Sequence, residues 1–317
     1  MKVVLLILQY GNSEYTAECL GSALPQRPAG AEIVVVDNAS PTGFHELYSW
    51  LGEPPLEEVT TDYLRYGPKE HIHLLRTAQN LGYGQGNNVG AAYAFGQLRA
   101  DYVWVLNNDT RLDKDAFSEL YAYITRHPDA EIIGQTVLDY GTSSVQALGG
   151  AKYNPILGVG KRIGVGQSID APLPPPPAVE KQLDYLAGAS FVISRALYEK
   201  VGLFAPEFFL YFEEIDLAKR VKGTGADLRW APGVKIEHKE GASISPGRRS
   251  ALSEYHATLS SLIATRKHYP FLLPLTLVVR ALYKLPRYAL SRRWDLLRAH
   301  FGGIGKFLER YLSTAHD

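Results

Sequence analysis

Four short apolar runs, Val3 to Leu8, Ile33 to Val36, Ile72 to Leu75 and Tyr102 to Leu106, recur along the first third of the chain with longer stretches of helical character among them. A strand that is apolar on both faces has to be covered on both faces, which is the situation inside a largely parallel sheet. Ser13 to Leu24, Gly86 to Arg99 and Asp113 to His127 predict helices. Ala91, Ala92 and Ala94 allow the second of these to lie close to the sheet, while Asp113 and Asp115 sit near the positive end of the third and Pro128 follows its close. Ser40-Pro41 predicts a further helix start, a capping hydroxyl before a proline at the first helical position. Strand and helix in alternation predict an open α/β sheet with helices on both faces, whose ligands lie at the carboxyl ends of the strands.

Composition removes several other classes. With 317 residues, 46% hydrophobic and 21% charged, the chain can bury a full core, which excludes a disordered or fibrous protein and fits one large domain with a small appendage. A single cysteine, Cys19, allows no intramolecular disulfide and no thiolate metal cluster, and points to a reducing compartment. The opening run reads as a first buried strand, since a signal peptide would need a longer apolar core and a small-residue cleavage site. No apolar run approaches the roughly 18 residues that span a bilayer. The longest, Phe271 to Val279, is interrupted by Pro274. Lys+Arg and Asp+Glu balance at 33 each, yet between residues 266 and 310 ten Lys/Arg stand against Asp295 and Glu309 alone. The two parts of the chain are therefore expected to meet different partners.

The predicted strand ends are polar. They read Gln9-Tyr10-Gly11-Asn12, Asp37-Asn38-Ala39-Ser40 and Asn107-Asn108-Asp109-Thr110. Each is an ordinary turn composition by itself, but several along one edge of one sheet form the rim where ligand-binding groups belong. Asn80 to Gly90 carries three glycines at alternate positions before a helix, a backbone that phosphate or ribose can approach closely. The G-x-G-x-G spacing after the third strand is not the dinucleotide fingerprint, and no P-loop is present. Gly158 to Gly166 reads as a mobile loop leading into an extended excursion at Pro172 to Pro177. Ser194 reads as a helix cap, and Trp104 and Phe95 as core. Tyr83 has two readings, stacking on a ligand or packing. His71 and His73 share one strand face but have no further ligand nearby, which argues against a metal pair. Phe208 to Phe212 leads into a helix carrying Glu213, Glu214 and Asp216. Glu213 and Asp216 are i,i+3 neighbours there, and a solvated acidic helix start is the plain alternative to a functional one.

Taken together, VVVDNAS at 34–40, NLGYGQGNNVG at 80–90, LNNDT at 106–110, GASFVISR at 188–195, FFLYFEEIDLAKRVKGTG at 208–225 and VKIEH ending at His238 resemble the inverting family 2 glycosyltransferases, closest to their rhamnosyltransferase-like subgroup. The resemblance covers residues 1 to about 245. It implies a GT-A fold, with a nucleotide-binding half over 1–110 and an acceptor half over 111–245, followed by a basic helical region over 246–317. It also implies a UDP- or dTDP-sugar donor, a Mg2+ or Mn2+ cofactor, and a glycan or lipid-linked saccharide acceptor in bacterial surface polysaccharide assembly. By position, Gln9, Tyr10 and Asp37 would line the nucleoside pocket, and Asn80, Gly82 and Asn87 would lie against the ribose and donor sugar. Asn107-Asn108-Asp109 falls where the family carries its Asp-x-Asp-type motif, so Asn108 and Asp109 would meet the donor. Asp109 would anchor the metal, with His238 beside the metal or diphosphate. Where the family has Glu-Asp-x-Asp, with the first Asp as catalytic base, this chain places Glu214, with Glu213 and Asp216 flanking it.

Two other functions compete. A sugar nucleotidyltransferase needs a basic glycine-rich loop after strand one, and Gln9 to Ser13 holds no basic residue. A degenerate nucleotide-sugar-binding subunit would account for the reduced NND motif and the Glu replacement. The tail repeats leucines among basic residues from Arg266 onward, as in helices lying on an anionic bilayer or packing on the catalytic domain or a second subunit. No nucleic-acid recognition motif accompanies it. The expected location is the cytoplasm, peripherally at the inner face of the membrane.

Overall fold

A computed structural model describes residues 1–69, 71–239 and 250–312. The elements run β1 (Val3–Gln9), α1 (Ser13–Ala23), β2 (Glu32–Asp37), α2 (Phe44–Trp50), β3 (Leu56–Val59), β4 (Tyr63–Lys69), β5 (Ile72–Thr77), α3 (Gly82–Gly96), β6 (Tyr102–Asn107) and β7 (Thr110–Leu112). Then follow α4 (Ala116–Arg126), β8 (Ile132–Asp139), β9 (Val145–Leu148), β10 (Gly150–Asn154), β11 (Val159–Arg162), α5 (Pro176–Glu180), β12 (Tyr185–Leu186), β13 (Ser190–Ser194), α6 (Arg195–Val201), α7 (Glu213–Gly223) and β14 (Leu228–His238). Three helices close the chain, α8 (Ala251–His268), α9 (Leu273–Leu290) and α10 (Trp294–Leu312).

The main sheet runs β3-β4-β5-β2-β1-β6-β13-β8-β14-β7, with β9 on β8, and a small sheet β11-β10-β12 stands apart. Its centre, β5-β2-β1-β6, is parallel, as the double-sided apolar runs require. All seven residues of β1 are buried. Val3, Leu5 and Ile7 pack into a layer with α1, α2 and α4, while Val4, Leu6 and Leu8 pack into the opposite layer with α3, α6 and α7. Period two on a sandwiched strand thus produces two cores from one segment. Trp104 is fully buried and its indole donates to Ser190 Oγ at 2.8 Å, binding β6 to β13.

Several local expectations are corrected. An antiparallel hairpin, β3 and β4, widens the sheet before β5; β3 is exposed at all four positions and shows no apolar alternation to betray it. Helix α3 starts at Gly82, four residues ahead of the predicted Gly86, so the glycine motif is its first turn. A Cβ at Gly90 would overlap Leu6 and crowd Val36, so this glycine serves close helix–sheet packing. Helix α2 begins at Phe44 with Gly43 before it at φ +87°, not at Pro41. Ser40 instead accepts from the Gly11 N–H at 3.0 Å and ties two rim loops together. The stretch Gly158 to Gly166 is no loop throughout, since β11 lies within it and pairs with β10. The last two prolines of Pro172 to Pro177 open α5 instead of continuing an extended excursion. His71 and His73 both reach Glu32, at 3.4 Å each, and His73 also meets Tyr93, so packing accounts for them.

The terminal helices build their own small core from Leu262, Ile263, Ala264 and Phe307 around Phe208. The expected boundary at 245 lies outside the described residues. Among the described residues no helix is long and apolar enough to cross a membrane.

Candidate active site

The sheet's topology gathers the sequence-predicted residues on one rim, because β1, β2 and β6 run parallel and end together. Gln9 is fully buried, accepts from the Thr16 hydroxyl and donates to the Gly11 carbonyl at 3.3 Å. Thr16 also accepts from Asn108 Nδ2 at 3.1 Å, so Gln9 and Asn108 brace the rim from behind. Tyr10 stands 40% exposed at its mouth. Asp37 is buried; its Oδ2 accepts from the Ser40 N–H at 3.3 Å and faces Arg76 Nε at 3.4 Å. Its Oδ1 has no hydrogen-bond partner. Burial raises its pKa against the pull of Ser40 and Arg76. An unpartnered buried acceptor at a strand end is an unsatisfied group that a ligand N–H or hydroxyl can complete.

Beside it Asn38, which nothing in the sequence singled out from its neighbours, organises the glycine motif. Its Nδ2 donates to Asn80 Oδ1 and the Gly82 carbonyl, both at 3.0 Å, and its Oδ1 accepts from the Leu81 N–H at 3.0 Å. Gly82 sits at φ +79°, and a Cβ there would strike the Phe209 carbonyl. The Tyr83 N–H donates to that carbonyl at 2.9 Å, joining the glycine motif to the approach of the acidic helix. Asn87 is fully buried, donates to the Tyr83 carbonyl at 3.0 Å and leaves Oδ1 without a partner.

Strand pairing explains the next constellation. β7 pairs antiparallel with β14 so that Thr110 faces His238, which brings His238 Nε2 within 3.3 Å of Asp109 Oδ1. His238 Nδ1 lies 2.8 Å from Gln146 Oε1, a contact that orients the ring. A carboxylate oxygen and an oriented imidazole nitrogen at this separation form a donor pair suited to a divalent cation. Among the described residues no third His, Cys, Asp or Glu joins them, so phosphate oxygens and water would have to complete the shell.

The acidic helix supplies the last part. Tyr211 and Phe212 both take positive φ, +69° and +71°, immediately before α7. Two bulky residues in this region store strain of about 1–3 kcal/mol each, and such strain gathers at functional sites. Glu213 is buried with Oε2 unpartnered, and burial together with the Glu214 charge pushes its pKa well above the carboxylate range. Glu214 is half-buried, and burial pushes it up to about 7. A Cβ at Gly188 would overlap its carboxylate, so the glycine of GASFVISR makes room for it. The Tyr83 hydroxyl donates to the Gly188 carbonyl at 2.6 Å, and its pKa rises through burial and the negative charges of Glu214, Glu213 and Asp109. Tyr83 therefore lies within electrostatic reach of Glu214, Glu213 and Asp109.

Asp216 lies three residues after Glu213 on α7, as expected, and is surrounded by cationic partners. It is fully buried with Arg220 Nε and His268 Nε2 each at 2.8 Å and Lys267 Nζ at 2.9 Å. Burial opposes its charge, but His268, Lys267 and Arg220 outweigh that and hold it well below the usual carboxylate range. A carboxylate so stabilised as an anion is a poor proton acceptor and a strong tie between α7 and α8. Single-sequence reading missed this because two of its partners come from a helix some fifty residues later.

Comparison with known proteins bears on the family and the fold. The chain is 29% identical over 213 residues, 66% of its length and 59% of the relative's, to the low-salt glycan biosynthesis hexosyltransferase Agl10 of Haloferax volcanii. It is 24% identical over 241 residues, 70% of its length and 76% of the relative's, to the N-acetylglucosaminyl-diphospho-decaprenol L-rhamnosyltransferase of Mycobacterium tuberculosis. The mannosyltransferase PcManGT of Pyrobaculum calidifontis, solved with GDP-Man and Mn2+, shares the fold with a TM-score of 0.56 at 14% identity, over 98% of this chain and 87% of that one. Residues 5–163, which hold the polar strand ends, the glycine motif and Asp109, match the model described as glycosyl transferase family 2, and the chain belongs to that family.

Proposed function

We propose that the chain is an inverting glycosyltransferase that moves a sugar from a UDP- or dTDP-sugar to a hydroxyl of a glycan or lipid-linked acceptor, with Glu214 as general base. The observation that carries this reading is Glu214, a half-buried carboxylate pushed up to about 7, which Gly188 makes room for beside a Tyr83 that feels both Glu214 and Asp109. A base poised near neutrality accepts a hydroxyl proton efficiently. The acceptor oxygen attacks the anomeric carbon as the carbon–oxygen bond to the diphosphate breaks on the opposite face. The proton passes to Glu214 and the electron pair leaves with the nucleoside diphosphate. One displacement of this kind inverts the anomeric carbon. Asp37 and Asn87 offer their unpartnered oxygens to the nucleoside and the sugar. Asp109 and His238 are the residues that would hold a Mg2+ or Mn2+ ion, which when bound neutralises charge on the departing diphosphate. Relatives named for hexosyl and rhamnosyl transfer, one of them to a diphospho-decaprenol acceptor, support the reaction class and an acceptor on a lipid carrier.

The same reading places the protein peripherally on the inner, anionic face of a membrane. Phe271, Leu275, Val278 and Leu282 are 97%, 48%, 57% and 64% exposed. At 100° per residue they form one outward stripe leading into and along α9. Leu290 and Trp294, at the junction of α9 and α10, are 86% and 55% exposed, and Arg287, Arg292 and Arg298 are exposed in the same helical region. Exposed apolar residues and arginines in one helical region fit the interface of an anionic bilayer.

Release of nucleoside diphosphate from the donor, followed with and without Mn2+, tests the function. Wild type is expected to release it only with the cation, and Asp109→Ala to lose at least tenfold, a barrier change of about 1.4 kcal/mol or more. Cation-independent release, or an Asp109→Ala variant with near-normal turnover, would overturn this assignment.

A further inference from the structure

A cavity of about 570 Å³ lies between the strand hairpin β10–β11 and the helices α8, α9 and α10. That size suits a small-molecule group. Its wall includes Phe212, the strained residue immediately before Glu213, so it adjoins the acidic end of the candidate active site. Four cations line it: Arg280, Lys284, Arg287 and Arg293. Lys284 is matched by Glu254 at 2.6 Å and Arg293 by Asp295 at 2.7 Å. Arg280 and Arg287 have no carboxylate partner among the described residues.

Arg280 is the telling member. It is only 5% exposed, its Nε has no hydrogen-bond partner, and among the described residues it meets only uncharged groups, Ser261, the Pro155 carbonyl at 3.4 Å and the Tyr153 hydroxyl. A guanidinium taken out of water without an anion is costly, and burial accordingly lowers its pKa. The fold nevertheless makes room for it: Gly158 sits at φ +64°, and a Cβ there would overlap the guanidinium. Leu157, Val159 and Tyr283 also line the cavity and are 44%, 50% and 58% exposed, so the cationic wall continues into apolar surface.

From this juxtaposition we infer that the cavity is the acceptor's phosphate subsite: Arg280 and Arg287 bind the diphosphate of a prenyl-diphosphate-linked saccharide. The prenyl chain leaves over Leu157, Val159 and Tyr283, and the saccharide passes Phe212 toward Glu214. A planar guanidinium gives paired hydrogen bonds to phosphate oxygens, and two of them match a diphosphate in charge. The inference rests on the glycosyltransferase reading and names its acceptor class.

The test is binding of geranyl diphosphate and of inorganic pyrophosphate to the full-length protein by calorimetry in EDTA, which keeps metal-dependent donor binding out of the measurement. Wild type and Asp109→Ala are expected to bind geranyl diphosphate alike, with inorganic pyrophosphate at least tenfold weaker. Arg287→Ala, at an exposed position that leaves the fold intact, is expected to weaken geranyl diphosphate at least tenfold. Arg280→Gln is expected to do the same, with its circular dichroism as a check on folding. Absence of binding, or binding lost in Asp109→Ala but kept in Arg287→Ala, overturns the subsite. Equal affinity for the two probes assigns the cavity to free phosphate and overturns the lipid acceptor. Donor hydrolysis measured on the same preparation separates the claims: release of nucleoside diphosphate without prenyl diphosphate binding sinks the subsite alone, whereas no release sinks the glycosyltransferase reading.

Discussion

At the scale of single residues, the site works by leaving a few buried polar atoms incomplete. Asp37 Oδ1 and Asn87 Oδ1 are such atoms, while the other polar atom of each side chain is hydrogen-bonded. Asp37→Asn keeps the shape and removes the charge. It is expected to raise the donor KM about thirtyfold, the equivalent of about 2 kcal/mol and within the range of about 1.5–3 kcal/mol for a hydrogen bond to a charged group, while kcat holds. Steady-state kinetics over donor concentration check it, and an unchanged KM would remove Asp37 from the nucleoside pocket. Asp37 was legible in the sequence because it stands at a strand end, where parallel pairing forces convergence, and Asn87 because it follows the glycine motif that opens α3. Asn38, Arg76 and Gln146 were not, since each acts by holding another residue across the fold. Asp216 was legible as an acid and illegible as an ion-pair centre, its partners being supplied by α7's own Arg220 and by the distant Lys267 and His268.

At the scale of elements, the double-sided apolar strands predicted the parallel centre of the sheet well, because burial on both faces leaves an uninterrupted run of Val, Ile and Leu. β3 and β11 escaped because their residues are largely exposed, and β4 because its partly buried run has no apolar period and is broken by Gly67-Pro68. The terminal helices are fastened by a second buried acid. Glu254 is fully buried against Lys284 at 2.6 Å, Tyr288 at 2.7 Å and His300 at 3.1 Å. Burial opposes its charge, yet His300, Lys284 and Tyr288 hold its pKa down to about 2 from an ordinary 4.5. At about 1.4 kcal/mol for each tenfold change in proton affinity, that depression is worth on the order of 3 kcal/mol. The stability is present above pH 4.5, where the unfolded carboxyl is already ionised, and is lost as pH falls through about 2. Urea unfolding at a series of pH values is expected to show this loss in wild type. In Glu254→Gln stability should be lower at neutral pH and the slope shallower, and an unchanged slope would deny Glu254 the role.

At the scale of the whole molecule, a near-neutral chain combines an α/β sheet with a basic helical region, joined through Asp216 and the Phe208 core. The strongly apolar outward stripe of α9 belongs to this division. Flotation with vesicles containing phosphatidylglycerol is expected to carry wild type at low salt, and phosphatidylcholine vesicles are expected to leave it behind. Phe271→Ser with Leu282→Ser should abolish flotation without changing donor hydrolysis. Equal behaviour on neutral and anionic vesicles would reject the anionic membrane surface. The leucine repeat among basic residues made the helical region legible in the sequence. It did not show the cavity beneath α9, because Arg280, Gly158 and Phe212 come together only through the tertiary packing of three separate segments.

The central claim, that Glu214 takes the acceptor proton, is tested most directly by the pH profile of sugar transfer in wild type and Glu214→Gln. A base is active when ionised, so the wild-type rate is expected to climb with pH to a plateau, with its acid limb near the value of about 7 that burial gives Glu214. Glu214→Gln is expected to bind donor as before, to lose about a hundredfold or more in transfer, and to lose the limb. A Glu214→Gln enzyme that transfers sugar at the wild-type rate with the same acid limb would contradict the account.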